Sequence, residues 1–341
     1  MAASIEDVAK RAGVSIATVS RSLRGLPDVA AATRDKVLIA ARELDYVASP
    51  FAARLASGRS STFGIVVPFV DRWFFAQILG AVEAVLSKAG YDLLLNNLAD
   101  TDGRERFFSV LPVRKRVDAV IVVSLVLTDS EVAALRTLDL PVGVIGAEYP
   151  GLLSVRIDDV AAARKAVDHL LLLGHRRIGL IGGDTEDPMR FTPPHHRRTG
   201  YLEALDAAGV GYDASLERLG YFTVEGGEAA MVDLLRLPER PTAVFAESDE
   251  MAYGAIRAIR RAGLKVPEDI AVMGFDDHST AGLLDLTTIR QPVAEQGELL
   301  ARGLLASLGG KADVKDIVLE TELVVRGSTV KSASVYADSA G

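Results

Sequence analysis

Ser4-Ile5-Glu6-Asp7-Val8-Ala9-Lys10-Arg11-Ala12-Gly13-Val14-Ser15-Ile16-Ala17-Thr18-Val19-Ser20-Arg21-Ser22-Leu23 is the stretch on which the reading of this chain turns. Ser4 is placed to cap a helix over 5–12, and Asp7, three residues on, suits the positive end of that helix. Val8, Ala9 and Ala12 recur at helical spacing and face inward. Gly13 stops the helix. Ser15 caps a second one over 16–23, whose inward residues are Val19 and Leu23. A turn around 25–28 leads to a third helix over about 31–44, which buries Val37, Ala40, Ala41 and Leu44.

Two short helices joined by a tight turn containing Gly form a helix-turn-helix, whose second helix enters the DNA major groove. Spacing alone fits a plain three-helix bundle equally well. In the DNA-binding case, Ile16, Ala17 and Arg21 face the bases. Arg21 can donate a bidentate pair to guanine, worth about 1–3 kcal/mol of discrimination. Ile16 and Ala17 offer apolar contact, for example to a thymine methyl. Ser15, Thr18, Ser20 and Thr33 are placed for phosphate contacts, which fix register without reading sequence.

Working outward, the 341 residues carry 38 Lys+Arg against 46 Asp+Glu, a formal charge of −8. That sum argues against nucleic acid, because phosphate binding needs positive surface. It hides an asymmetry, however. Residues 1–62 hold nine basic and six acidic residues, a net +3, which leaves −11 on the remaining 279. The absence of cysteine excludes disulfides, thiolate zinc sites, iron–sulfur clusters and a cysteine nucleophile. The N-terminus has no apolar signal core, and the most apolar run, 119–127, is far too short to cross a bilayer. The expectation is a cytoplasmic protein without a membrane partner.

Residues 47–61, rich in Ala, Ser, Pro and Gly, read as a linker in which 50–55 can make one or two helical turns. Beyond it, short apolar runs at 64–68, 92–96, 119–123, 142–145, 177–181, 243–246 and 270–274 alternate with helical patterns. Those patterns cover 76–89, 131–138, 161–173, 197–208, 226–235, 251–262 and 293–308. Repeated βα units imply parallel sheets with helices on both faces. The length implies two such sheets, with a break near 155–164.

The string 4–15, the continuation Thr18-Val19-Ser20-Arg21-Ser22-Leu23, and the stretches Thr33-Arg34-Asp35-Lys36-Val37 and Glu43-Leu44-Asp45-Tyr46 closely resemble the head of LacI/GalR-type bacterial transcription repressors. The resemblance runs on to Leu323-Val324-Val325-Arg326-Gly327-Ser328-Thr329. It implies an all-α helix-turn-helix head (1–46) and a hinge helix and linker (47–61). It also implies a periplasmic-binding-protein-like core (62–330) of two interleaved, doubly wound parallel-sheet α/β subdomains, followed by a flexible tail (331–341). It further implies a homodimer on a pseudo-palindromic operator, and a leucine from each hinge wedged into the minor groove. The matching residue is Leu55, and an apolar wedge of this kind kinks DNA by unstacking a base step. Three positions depart from the family pattern. Ala48 stands where Pro is usual, Ser49 replaces Asn, and Arg54 sits one position late, so the contacts flanking the wedge depart from the family's.

In such a core, ligands sit beyond the carboxyl ends of parallel strands. The residues there that match effector contacts are Phe74 and Phe75 in the aromatic run Trp73-Phe74-Phe75, Ser124, Arg197, Phe222, Ser248 and Asp276. Arg197 opens Arg197-Arg198-Thr199-Gly200-Tyr201, similar to the family's Arg-x-x-Gly-aromatic signature. Ser248 replaces the usual Asn. An arginine, a carboxylate and aromatics suit a sugar or sugar derivative and also a purine or nucleoside; the ligand can be inducer or corepressor. For Asp158 and Asp159 a salt bridge at the subdomain crossing explains the residues as well as a ligand does. Asp249 reads as a helix cap. His195-His196 reads as a solvated cleft edge, and no cofactor motif, metal cluster or catalytic constellation is present. A solute-binding protein and a sugar-processing enzyme are the rival classes.

Overall fold

The computed structural model describes residues 3–23, 28–46, 60–310 and 316–330. The turn at 24–27, the linker at 47–59 with Leu55, and the tail at 331–341 lie outside the described residues. The chain divides into two compact units, one formed by 1–62 with 115–118 and the other by the remainder.

The first unit contains α1 (Ile5–Ala12), α2 (Ile16–Leu23) and α3 (Ala31–Glu43). Ser4 and Asp7 close a reciprocal capping box at the start of α1, and Gly13 ends it in the left-handed region at φ 66°. Val8, Val19 and Val37 are fully buried and pack with Ala9, Ala40 and Ala41. Ala12, Leu23 and Leu44 are only partly buried at the rim of this small core. The Ser60 and Ser61 backbone N–H groups donate to the two oxygens of buried Asp118 at 2.8 and 2.7 Å.

The second unit alternates strands and helices: β1 (Thr62–Val67), α4 (Trp73–Lys88), β2 (Asp92–Asn97), α5 (Thr101–Val110), β3 (Ala119–Val123), α6 (Asp129–Arg136), β4 (Val142–Ile145) and β5 (Leu153–Ile157). Then come α7 (Asp159–Leu172), β6 (Ile178–Gly182), α8 (Pro193–Ala207), β7 (Glu217–Leu219), α9 (Val224–Leu235), β8 (Ala243–Ala246), α10 (Asp249–Arg261) and β9 (Ala271–Asp276). β10 (Thr287–Arg290), α11 (Val293–Leu308), β11 (Asp316–Leu319) and β12 (Glu322–Val324) complete the chain.

Two six-stranded sheets result, ordered β11-β5-β4-β3-β1-β2 and β12-β10-β9-β8-β6-β7. The two halves repeat one winding, 2-1-3-4-5, whose strand order reverses beside the first strand. Central strands such as Ala119–Val123 and Ala243–Ala246 are buried throughout, which is why they read as unbroken apolar runs. β12 runs antiparallel to its neighbour, β10.

The single break expected near 155–164 is the first of three crossings. The chain passes to the second sheet at Asp158 and returns through Gln291 and Pro292. It crosses again at Glu320 and Thr321 to place β12 in the second sheet. Interleaving follows because α11 packs against α4 in the first subdomain's core, where Leu300 and Leu304 join Ile78 and Val82.

Candidate functional site

On α2, Val19 and Ser22 point inward while Ile16, Ala17 and Arg21 are exposed, Ile16 by 47%. The Arg21 Nε–H donates to the Ala17 carbonyl at 3.3 Å, so the three residues form one continuous patch. Arg21 Nη1 lies 3.5 Å from Asp28 in an exposed pair, too weak to hold it there. Ser15 Oγ accepts from the Thr18 N–H at 3.1 Å and lies 2.9 Å from the Thr18 hydroxyl, which starts α2. Both hydroxyls are thus engaged locally yet remain at the surface. Ser20 and Thr33 are half-buried.

In the second unit the switch points of both sheets open into one narrow cleft of about 570 Å³, solvent at its mouth included. All seven sequence-selected residues (Phe74, Phe75, Ser124, Arg197, Phe222, Ser248 and Asp276) line it. Each stands at or just past the end of a strand or in the first turns of the helix that follows. Trp73, Phe74 and Phe75 are not a loop, as the helix expected from 76 implies; they are the first turn of α4. Phe75 is buried against Phe191, while Phe74 meets Phe75 edge-on at 5.3 Å. Phe222 meets Phe191 edge-on, also at 5.3 Å.

Three of the seven have positive φ: Ser124 at 52°, Phe222 at 56° and Asp276 at 117°. A side chain held in that region is strained, and such residues gather where the surroundings over-determine a functional geometry. Gly183 makes room for the cluster, since a Cβ there would stand 2.2 Å from the Phe222 ring.

Arg197 is buried on α8 with its guanidinium stacked 3.6 Å over the Phe275 ring. Its Nε–H donates to Asp159 Oδ1 at 2.8 Å, and its Nη1 donates to the Glu247 carbonyl and lies 3.6 Å from Asp276 Oδ1. The salt-bridge reading of Asp159 therefore holds, although Asp159 also lines the cleft. Burial works against the Arg197 charge, but Asp159 and Asp276 outweigh it and its pKa is raised. Burial pushes Asp276 up to about 7 and Glu247 up to about 8, against the partial relief of Arg197.

The rest of the arginine motif is structural. Tyr201 is buried and its hydroxyl donates to the Ile178 carbonyl at 2.9 Å. Gly200 lets α8 meet α7: a Cβ there would stand 2.3 Å from the Val160 carbonyl oxygen and 2.9 Å from Ala163 Cβ. Gly200→Ala is therefore expected to destabilise the chain by about 1–3 kcal/mol through overpacking, beyond the ~1 kcal/mol of helix propensity it gains. A urea denaturation midpoint no lower than that of the parent would contradict this.

Ser248, not Asp249, caps α10: its Oγ accepts from the Met251 N–H at 3.3 Å, which leaves the O–H free to donate. The Asp249 carboxylate instead accepts from the Thr288 hydroxyl at 2.6 Å and the His278 N–H at 2.7 Å, tying α10 to the end of the second sheet. Burial, with Asp276 nearby, raises its pKa well above the ordinary range. His195 and His196 are exposed beside Asp187 and Arg190. No group of three or more potential ligands is placed for a metal among the described residues, and no described helix is long and apolar enough to cross a membrane.

Sequence reading passes over Arg72, Glu250, Gln291 and Gln296, which also line the cleft. Gln291 stands at the second crossing and its Nε2 donates to Asp276 Oδ1 at 2.5 Å, while Gln296 donates to Gln291 at 3.2 Å. The hinge therefore hydrogen-bonds to a cleft carboxylate. On the far side of the cleft the Val126 N–H donates to the Arg190 carbonyl at 2.9 Å, and Leu125 bridges Phe191. Buried Arg104 grips Glu131 and Val126 in the first subdomain and donates across the boundary to the Met189 carbonyl. Walls from both subdomains, three crossings on one side and this strap on the other make a cleft whose contents bear on how the subdomains are held.

The description "Bacterial regulatory proteins, lacI family" matches residues 4–49, and "Periplasmic binding protein-like domain" matches 167–329. The chain is 38% identical over 335 residues to the HTH-type transcriptional repressor CytR of Escherichia coli (strain K12), covering 96% of each. Among solved structures it is similar to the transcriptional regulator CelR–cellobiose complex at 35% identity and a TM-score of 0.69, with 96% and 99% of the two chains covered. It is also similar to the lac repressor dimer bound to operator and the anti-inducer ONPF at 28% identity, a TM-score of 0.85 and the same coverage.

Proposed function

Because this chain belongs to the LacI family of bacterial regulatory proteins, we propose that it is a dimeric repressor whose grip on a pseudo-palindromic operator is set by a small ligand in the cleft. It is a regulator, not an enzyme, as its relatives and its fold are. The observation that carries the proposal is the joining, in one chain, of an exposed Ile16–Ala17–Arg21 patch to a cleft walled by both subdomains.

Two heads read two half-sites, with Ile16, Ala17 and Arg21 on base edges and Ser15, Thr18, Ser20 and Thr33 on phosphates. The heads together bring +6 to the duplex, twice the +3 of residues 1–62. Leu55, outside the described residues, wedges into the minor groove between them.

In the cleft, Asp276 accepts from ligand hydroxyls, the remaining Arg197 donor and the Ser124 and Ser248 hydroxyls orient the ligand, and Phe74, Phe75 and Phe222 cover its apolar face. A sugar or sugar derivative fits this set, and a similar regulator is described in complex with cellobiose. The wall of Phe74, Phe191 and Phe222 favours a flat ring, which supports a nucleoside as the second reading. Ligand shifts how the subdomains are held, disfavours the hinge helices and releases DNA. The coupling is reciprocal, so operator weakens ligand binding by the same factor.

The test is a gel-shift titration on an operator selected from random duplexes, with and without sugars and nucleosides. A ligand that saturates the cleft yet leaves operator affinity unchanged refutes the regulatory reading. In the same assay Leu55→Ala is expected to weaken operator binding at least about tenfold while leaving ligand binding unaltered. Unchanged operator affinity would remove the wedge.

A further inference from the structure

We infer that the cleft selects an uncharged or cationic ligand and excludes phosphorylated and carboxylated ones. The inference rests on the reading of this cleft as the effector site and names the chemistry the site admits.

The helix N-termini at the cleft are occupied by the protein's own acids, caps and prolines. Anions in α/β folds are seated at helix N-termini, where unpaired N–H groups and the dipole converge. Five helices begin at this cleft. At α4, Glu250 reaches from the opposite subdomain; burial raises its pKa, against the partial relief of Arg72 and of the Trp73 backbone N–H, which donates to it. At α7, the Asp158 carboxylate accepts from the Ala161 N–H at 2.9 Å, and Asp159 is the first helical residue. At α8, the first two positions are Pro193 and Pro194, which have no N–H to offer. At α10, Ser248 caps, and Asp249 and Glu250 occupy the first turn. At α11 the cap is Pro292, the Val293 N–H donates to the Gln291 carbonyl at 2.9 Å, and Glu295 stands in the first turn.

The charges of the two arginines are already matched, although Arg197 keeps one donor for a neutral hydroxyl or carbonyl. Arg197 is engaged by Asp159, Asp276, the Glu247 carbonyl and the Phe275 face. Arg72 lies 3.9 Å over the Phe69 ring with Asp71, Glu250 and Asp187 around it. Two cations thus face three carboxylates on the wall (Asp159, Glu250 and Asp276), and Glu247 lies buried behind. Burial raises the pKa values of Asp276 and Glu247 to about 7 and about 8 despite Arg197, so the cleft already disfavours the charge of its own carboxyls. A phosphate would add like charge to a narrow, acid-rich space, and neutral hydroxyl or amino donors would find acceptors there.

Trp73 is the only tryptophan, and it stacks against His278 at 4.9 Å in the first turn of α4, so its fluorescence reports on the cleft. The full chain is titrated with inorganic phosphate and with matched pairs: ribose and ribose 5-phosphate, glucose and glucuronate, adenosine and adenosine monophosphate, cytidine and cytidine monophosphate. The expected result is no saturable response to phosphate and, in every responding pair, a preference for the neutral member of about a hundredfold or more. Glu250→Gln, which keeps the shape and removes a charge, should narrow that gap about tenfold. A saturable phosphate response, an anionic member that binds as tightly as its neutral twin, or a gap unmoved by Glu250→Gln overturns the inference. A parallel operator titration separates the two readings. If bound compounds leave DNA affinity unchanged, the regulatory reading fails, while charge selection is judged on fluorescence alone.

Discussion

Replacing Arg197 by methionine should lower stability by about 3–5 kcal/mol near pH 8, where one partner of a buried ion pair is lost while the other stays charged. The loss should shrink clearly near pH 5. Methionine fills most of the arginine's volume and keeps an apolar contact on Phe275, so little of the effect comes from a cavity. What is lost is the only buried cation among the described residues that touches both Asp159 and Asp276. The sign of the pH dependence follows from linkage. Asp276 and Glu247 sit at about 7 and about 8 in the folded chain, against ordinary values of 3.8 and 4.5. Between those limits the folded state binds more protons than the unfolded state, so their contribution is present at low pH and is lost as pH rises through the folded values. Removing Arg197 pushes both carboxyls further up and steepens that loss. Urea denaturation of parent and variant near pH 5, 6, 7 and 8 reads it directly. An equal loss at both ends would show that Arg197 acts by packing instead of by charge. Arg197→Lys, which keeps charge without the planar fork, should fall between.

The legibility of this molecule was uneven for physical reasons. Strands buried on both faces appear as unbroken apolar runs, so Ala119–Val123 and Ala243–Ala246 are placed to the residue, and with them Ser124 and Ser248. The strands that frame the crossings are different. Leu153–Ile157 and Thr287–Arg290 carry Ser, Thr and Arg, and their burial comes from neighbours far along the chain. Without β10, nothing in the sequence places Gln291 at a crossing. Arg72 and Glu250 meet only because α4 and α10 begin on opposite sides of one cleft. Arg104 lies in Thr101-Asp102-Gly103-Arg104-Glu105-Arg106, a string that reads as solvated surface, yet it is buried and holds the strap between subdomains. The arginine signature was legible as a motif, but its division of labour was not. Arg197 faces the cleft, Gly200 permits a helix contact, and Tyr201 anchors the helix to β6.

Arg21→Ala is the second large effect expected, and it lies in specificity more than in bare affinity. Among the described residues Arg21 makes an exposed pair with Asp28 at 3.5 Å and a bond to its own helix, contacts that cost little to exchange for DNA. A bidentate arginine on guanine discriminates by about 1–3 kcal/mol, and a dimer makes that contact in both half-sites. Operator affinity should therefore fall by about 2–6 kcal/mol, roughly thirtyfold to twenty-thousandfold. Binding to unrelated duplex should fall far less, by about what one phosphate-range charge per head supplies. Thr18→Ala is the contrasting case: a lost phosphate contact weakens operator and unrelated DNA alike. The two variants also differ in what they do to the fold. Arg21 is exposed and removing it leaves the core of Val8, Val19 and Val37 untouched, whereas Thr18 supports the Ser15 cap at the start of α2. Gel-shift titrations on selected operator and on scrambled duplex, each at two salt concentrations, separate the roles. If Arg21→Ala weakens both duplexes equally, Arg21 contacts the backbone, and the base-reading surface of α2 reduces to Ile16 and Ala17.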